Sequence, residues 1–315
     1  MRAYFLEVSG AGTRLAPRDV PVPEEASGQL LVRVRAAGLN RGEFILGHGR
    51  AKPGSAKPAG NEAAAEVVRT GERVMGRCPG AFAEYALMDA REAIPIPKTL
   101  SWEEAAAIPL TFMVVHDMLV AQGQLQAGEW LLVTGISSGV GVAALQAAKA
   151  LGAKVIGTSG SDKKLSQLAK LGLDFPIQTR KGDFHDAVMK ATDGKGANLA
   201  VNTVGGSVFA ECVRALGFGG RLAVVGYVDG VLKSEIDLEA VHARRLRIFG
   251  VSNKLRNAAQ RASTVQGFVA DFLPLFASGR IKPLIDRVFP FAELPAAKAY
   301  MESDAHVGKI VVNGP

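Results

Sequence analysis

Residues 130–148 read WLLVTGISSGVGVAALQAA. The first four are apolar and suit a buried strand. The last seven, apolar but for Gln146, favour a helix. Between them stand Gly135, Gly139 and Gly141 with the adjacent Ser137 and Ser138. A helix N-terminus exposes unpaired N–H groups and a partial positive charge. Glycines there let backbone approach a ligand or a neighbouring strand, and the hydroxyls add donors. Such a strand–turn–helix makes a seat for a pyrophosphate. Serine and glycine also suit a plain capped turn, so the flanking pattern must decide between the two.

The flanks favour the ligand. Apolar, β-branched runs begin near residues 131, 154, 175, 199 and 222. Helix-like segments lie over 140–151, 161–171, 183–192 and 208–216. Repeated strand–helix units predict a doubly wound parallel sheet, an α/β domain. Gly152, Gly172 and Gly217 stand where helix C-caps prefer glycine. Ser161-Asp162 and Asp183 stand where N-caps belong.

Residues 1–113 differ in texture. They are rich in Val, Gly and Pro, with short alternating runs such as 30–35, and read as mainly β. Residues 44–60 read as an exposed loop. From 251 the chain passes through a polar loop, a helix predicted over 258–278 and closed by Gly279, and a strand over 309–312. That strand needs a sheet to join, and the first region offers one. The expected organisation is a discontinuous domain, 1–113 plus 251–315, with a dinucleotide-binding domain, 114–250, inserted.

The 315 residues are 48% hydrophobic and 21% charged, an ordinary globular composition. Two cysteines, Cys78 and Cys212, exclude a disulfide scaffold and a four-cysteine zinc lobe. The opening MRAYFLEVSG lacks a signal-peptide core, and no run approaches the ~20 apolar residues that span a bilayer. A cytoplasmic protein without a membrane partner is expected. A net charge of +7 fits an anionic ligand. With 6% aromatic residues, stacking platforms for nucleic acid are scarce, so a phosphorylated small molecule is favoured.

The second strand of the series ends in Thr158-Ser159-Gly160, with no carboxylate at its tip. An NAD site usually places Asp or Glu there for the ribose 2′-OH. Ser159, Lys163, Lys164, Arg180 and Lys181 instead offer hydroxyls and cations, which attract a 2′-phosphate. NADPH is the expected cofactor.

With these residues in view, the chain resembles the medium-chain dehydrogenase/reductases, in the zinc-independent branch of quinone oxidoreductases and enoyl reductases. The segments that carry the resemblance are VRVRAAGLN (32–40), GERVMG (71–76), GAFAEYALMDAREAIPIPKTLSWEEAAAIPL (80–110), TGISSGVGVAALQAAKALGAKVIGT (134–158), GGRLAVVG (219–226) and GKIVV (308–312). The resemblance implies a Rossmann domain inserted into a GroES-like catalytic domain, with NADPH bound across the crevice between them. It implies hydride transfer to a quinone or to the β-carbon of an α,β-unsaturated carbonyl, and a homodimer built on the edge strand 247–251. The family's zinc enzymes carry Cys at the place of Asn40 and His at the place of Asn61, so no metal is expected. Residue by residue, the resemblance puts Ser137, Ser138, Gly139 and Val140 at the pyrophosphate. Thr158, Ser159 and Lys164 fall near the adenosine 2′-phosphate. Thr179 stands where many relatives have Tyr, beside Arg180. Asn202, Gly226 and Ser252 fall in loops along the nicotinamide half. Ala65 replaces a family glycine, Ile45 a site tyrosine and Val114 a threonine.

Hydride addition builds negative charge on the acceptor's oxygen, and donors placed near it lower the barrier. Asn40 is the first candidate donor, though asparagine also favours the turn it occupies. Tyr227, after the fifth strand, offers a phenol, or simple packing. His48 reads as a solvated loop residue with a possible proton-shuttle role. Glu43 reads as solvent-facing. The readings are a quinone reductase, an enone or enoyl reductase with a thioester or carboxylate substrate, or an NADPH-binding regulatory or RNA-binding protein with little turnover.

Overall fold

The computed structural model describes residues 1–9, 12–45, 54 and 56–315. His48 and most of the loop read over 44–60 lie outside the described residues. The chain forms two compact units, Met1–Met113 with Lys254–Pro315, and Val114–Asn253.

The first unit opens with β1 (Arg2–Ser9), β2 (Gly12–Asp19), β3 (Gln29–Gly38) and β4 (Ala56–Pro58). Next come β5 (Glu62–Val67), β6 (Arg73–Arg77), β7 (Tyr85–Asp89) and β8 (Ile94–Pro95), then α1 (Trp102–Ala106) and the start of α2 (Pro109–His116), which runs on past Met113 into the second unit. Ser101 and Glu104 form a reciprocal capping box that starts α1.

The second unit alternates strand and helix: β9 (Trp130–Thr134), α3 (Gly139–Ala150), β10 (Lys154–Ser159), α4 (Asp162–Ala169), β11 (Phe175–Gln178), α5 (His185–Ala191) and β12 (Ala197–Asn202). It continues with α6 (Gly206–Arg214), β13 (Leu216–Val224), α7 (Leu238–Ala243) and β14 (Arg247–Gly250). All pairings are parallel, in the order β11-β10-β9-β12-β13-β14. The chain winds outward from β9 to β11, returns to the other side of β9 and winds outward again. This is the Rossmann order, with its switch point beside β9. Leu132, Ile156, Ala200 and Leu222 are fully buried at its centre, as parallel strands covered by helices require.

The chain then returns to the first unit through α8 (Ala258–Asp271), α9 (Leu273–Ala277), β15 (Ile285–Phe289), α10 (Leu294–Glu302) and β16 (Lys309–Asn313). As expected, β16 finds a sheet: it pairs antiparallel with β3 through Val311–Gly38 and Val312–Ala37. The larger sheet runs β15-β16-β3-β5-β6-β8, with β7 also on β3, and β2-β1-β4 form a second sheet. This unit is the mainly β, GroES-like one. Its core includes Val32, Ala63, Phe82, Met88 and Val312.

Three local expectations fail. The helix predicted over 258–278 divides after Asp271, because Pro274 has no N–H to continue α8. Gly217 is no C-cap; it lies inside β13, where its backbone passes the Lys195 carbonyl. Asp183 does not cap α5, which starts from Phe184 without a side-chain cap. Its carboxylate accepts the Thr179 hydroxyl instead, at 2.5 Å.

Candidate functional site

Parallel pairing brings the C-terminal ends of all six strands of the second unit to one edge. Thr134 aligns with Asn202, Asn202 with Val224, Val224 with Gly250, and Ser159 with Gln178. Most of the residues expected to bind or act, Tyr227 among them, lie within this edge or the turns just beyond it.

The turn after β9 is built by its glycines. Gly135 has φ +64°, a left-handed conformation that glycine adopts without strain. Its N–H donates to Thr158 Oγ1 at 3.3 Å, tying the turn to the end of β10. A Cβ on Gly141 would lie 2.6 Å from the Ile136 Cα and carbonyl oxygen, so only glycine lets the first turn of α3 close over Ile136. Ser138 is the N-cap, its Oγ accepting from Gly141 N at 3.1 Å. Its oxygen is therefore committed to the helix, while its hydroxyl hydrogen can still be donated. Ser137 precedes it. Gly139 and Val140 contribute the leading N–H groups of α3, which have no intrahelical acceptor.

At the tip of β10, Thr158 and Ser159 are buried. Ser159 Oγ accepts from Ser161 N, and Ser161 caps α4 through Lys164 N. Arg180 folds back across this tip: a Cβ on Gly160 would collide with its Nε and Cγ. Thr179 Oγ1 accepts from Lys181 N at 2.9 Å and holds the loop that carries Arg180. The next carboxylate along the chain, Asp162, begins α4 rather than standing at the strand's tip. Hydroxyls and cations in this arrangement suit a phosphate monoester better than a free ribose diol.

Asn202 is 1% exposed and shapes its own turn. Its Oδ1 accepts from Val204 N and Gly205 N at 3.0 and 2.9 Å, and its Nδ2 donates to Gly205 O at 2.8 Å. Its side chain thus positions the loop rather than reaching outward. Gly226 lies against the Thr203 carbonyl, Tyr227 is 42% exposed, and Ser252 is exposed beyond β14.

In the first unit, Asn40 belongs to a cluster the sequence did not reveal. Its Nδ2 donates to Glu62 Oε1 at 2.7 Å and to Glu43 Oε1 at 3.1 Å, and its Oδ1 accepts from Lys309 Nζ at 2.8 Å. Both amide hydrogens are used, so Asn40 is not the spare donor the sequence suggested. Lys309 also donates to Glu62 Oε1 at 2.6 Å and to Thr111 Oγ1 at 3.1 Å. Glu62 Oε2 accepts from Leu110 N at 2.8 Å. Lys309 is 6% exposed and Glu62 0%. Room for the pair comes from Gly38, where a Cβ would lie 2.5 Å from Glu62 Oε1 and 2.9 Å from Lys309 Cε.

Glu43 corrects a further expectation. It is not solvent-facing: its Oε2 is sealed from water and lacks a well-formed hydrogen bond. Burial pushes its pKa up to about 7, with the Glu62 carboxylate adding to the rise and Asn40, Asn61 and Lys309 opposing it. The signal available in the sequence was Lys309 itself, a lone cation in the otherwise apolar run over 307–312.

This cluster does not fit zinc. The Lys309 ammonium already occupies Asn40 Oδ1 and Glu62 Oε1, the Leu110 N–H takes Glu62 Oε2, and the side chains are amides and carboxylates rather than thiolates and imidazoles. Among the described residues, no group of three His, Cys, Asp or Glu side chains is placed to hold a metal. Among the same residues, no helix is long and apolar enough to cross a membrane.

A family model described as zinc-binding dehydrogenase matches residues 139–265. The chain is 30% identical over 298 residues to a phenolphthiocerol/phthiocerol polyketide synthase of Mycobacterium tuberculosis. That match takes in 91% of this chain, which spans only 14% of the synthase's length. Among solved structures, the quinone oxidoreductase of Thermus thermophilus, known also in its complex with NADPH, superposes with a TM-score of 0.85. It is 28% identical, covering 99% of this chain and 100% of that one. Prostaglandin reductase-3 of Mus musculus is 31% identical over 99% of this chain and 93% of its own length. With a relative this similar along both chains, and with the Rossmann order and glycine turn in place, the chain belongs to the medium-chain dehydrogenase/reductase family, a family of oxidoreductases.

Proposed function

We propose that this chain is an NADPH-dependent oxidoreductase that transfers hydride to a quinone or another conjugated carbonyl, without zinc. The observation that carries the reading is the pairing of the α3 turn with Arg180 folded over the tip of β10. Ser137, the Ser138 hydroxyl and the N–H groups of Gly139 and Val140 would hold the diphosphate. Thr158 braces that turn through Gly135, while Ser159, Lys164 and Arg180 would hold the 2′-phosphate, with Thr179 fixing the Arg180 loop. Asn202 sets the loop before α6, and Gly226 and Ser252 would line the nicotinamide half. When bound, NADPH supplies the hydride. Tyr227 would donate to the acceptor's oxygen as charge builds there, and Asn40 would orient Glu43 and Glu62 rather than touch the acceptor. The NADPH complex of the Thermus thermophilus relative supports the cofactor, and that relative's name supports a quinone as acceptor. The name of the mouse relative supports reduction as the reaction's direction. The proposed setting is a cytoplasmic homodimer.

The test is NADPH oxidation by the purified chain with a panel of quinones, enones and 2-enoyl thioesters. Consumption with quinones or enones supports the reading, and a preference for thioesters turns it to enoyl reduction. Tight NADPH binding with no consumption by any acceptor replaces it with a nucleotide-binding protein of regulatory or RNA-binding duty. No heat from NADPH in calorimetry removes the cofactor assignment altogether.

A further inference from the structure

Two glycine-rich turns lead into helices at the C-terminal edge of the second unit's sheet, and they are finished differently. The turn into α3 is capped by its own Ser138. The turn into α6 has Gly205 at the N-cap and no side chain of its own to serve there. A carboxylate from farther along the chain supplies the acceptors. Asp229 Oδ2 accepts from Ser207 N at 2.9 Å and from Ser207 Oγ at 2.5 Å, and its Oδ1 accepts from Val231 N at 2.9 Å. Backbone bonds run beside it: Asp229 N donates to Val204 O at 3.0 Å, and Gly206 N to Val231 O at 2.9 Å. Both glycines are needed for so close an approach. Gly205 has φ +135° and ψ −153°, a region open essentially to glycine alone, and a Cβ there would lie 2.0 Å from Asp229 Oδ1. A Cβ on Gly206 would lie 2.7 Å from the Val231 carbonyl oxygen. Burial alone would raise the Asp229 pKa, but the bonds from Ser207 and Val231 outweigh it and hold the carboxyl below its usual range, so the charge persists at neutral pH.

The segment tied down in this way begins with Gly226 and Tyr227. Val225 N donates to Asn202 O at 3.0 Å, and Gly230 N closes a turn on Tyr227 O at 3.1 Å. Gly226 is therefore held from one side by the Asn202 loop and from the other by Asp229. We propose that Asp229 is a positioning residue: by tying the loop 225–231 to the start of α6, it fixes the Gly226 backbone where the nicotinamide half of NADPH is to lie. This rests on the reading of the chain as an NADPH-dependent oxidoreductase. Asp229 touches no atom of the cofactor and acts through Gly226. Without the carboxylate, Ser207 N and Val231 N lose their acceptor and the loop must be ordered when the cofactor arrives. The apparent affinity then falls by the fraction of molecules in which the loop is already in place.

Calorimetric titration of the full chain with two ligands tests this. One is NADPH; the other is adenosine 2′,5′-bisphosphate, which carries the adenosine and its 2′-phosphate but no nicotinamide. Asp229→Ala is expected to weaken NADPH about tenfold, as a loop in place in a tenth of the molecules would, and to leave the bisphosphate unchanged. Gly205→Ala, which displaces the carboxylate without removing it, is expected to show the same split. Asp229→Asn, with one acceptor oxygen where the carboxylate has two, is expected to fall between the wild type and Asp229→Ala. Hydrogen exchange is expected to quicken at the Ser207 and Val231 amides in Asp229→Ala, and to stay as it was at the Val142 amide in α3. Equal loss of both ligands would make Asp229 an element of stability alone and overturns the proposal. Unchanged NADPH affinity in Asp229→Ala overturns it as well, and so does slow exchange that survives the substitution. A wild type that binds neither ligand while its Ser207 and Val231 amides stay protected overturns the nucleotide reading and leaves the lock standing, so the two failures are distinct.

Discussion

Lys309 shows how one side chain can decide the chemistry of its surroundings. Its three ammonium hydrogens meet three acceptors, so the ion pair with Glu62 is buried and fully satisfied. Removing one partner of such a pair strands the other, at a cost of about 3–5 kcal/mol, while replacing both by apolar groups is often nearly neutral. Lys309→Met is therefore expected to lower stability by about 3 kcal/mol. The double variant Lys309→Met/Glu62→Leu is expected to recover most of that loss. Calorimetric unfolding of both variants checks this, and equal losses would show the pair to be incidental. Glu43 gives a pH-dependent counterpart. Burial raises its pKa from 4.5 to about 7, so the protonated form is the one the fold favours. Its contribution is complete below pH 4.5 and is lost as pH rises through about 7. Relative to Glu43→Gln, the wild type is expected to lose on the order of 3 kcal/mol across that window. Parallel Tm-against-pH curves for the two proteins would refute the burial of this acid.

At the scale of elements, the turn into α3 separates two jobs that the sequence placed side by side. Ser138 caps the helix, and Ser137 precedes the cap. Ser138→Ala is expected to cost about 1 kcal/mol of stability. Ser137→Ala is expected to leave stability unchanged and weaken NADPH binding. Thermal unfolding and calorimetric titration of the two variants separate the roles, and identical behaviour would merge them. The same division holds at the tip of β10, where Arg180→Ala is expected to weaken NADPH about tenfold, near 1.4 kcal/mol, and leave NADH untouched. The strand–helix alternation of β9 to β14 was legible because burial on a parallel sheet imposes long apolar runs, and the glycine turn was legible because its backbone admits few residues. The cluster around Asn40 was not. Lys309 and Glu62 stand 247 positions apart, and no local pattern announces that a strand on each side of β3 will bring them together. Asp183 and Gly217 misled for the opposite reason: each suits a local cap, and each is recruited by a neighbour instead, the Thr179 hydroxyl in one case and the β13 strand in the other.

At the scale of the molecule, the sheet of the second unit ends on β14, whose outer edge carries no strand among the described residues. Arg247, Ile248 and Gly250 are exposed there. An open edge presents unpaired N–H and C=O groups, and an exposed apolar residue on it invites another strand. A second copy meeting this edge across a two-fold axis would pair β14 antiparallel with itself and close the edge without building a filament. The proposed homodimer thus has a specific seam. That seam also carries a cost: Arg247, with Arg244 and Arg245 just before it, brings like charges from both copies together. Salt screens such repulsion over roughly 8–10 Å at physiological ionic strength. The dimer is therefore expected to tighten as salt rises, the reverse of an interface held by opposite charges. Sedimentation of the wild type across a salt series, beside Ile248→Lys, tests this. A dimer that strengthens with salt and is lost in the variant fits the β14 seam. A chain that stays monomeric at every concentration, or a dimer indifferent to Ile248→Lys, rules it out.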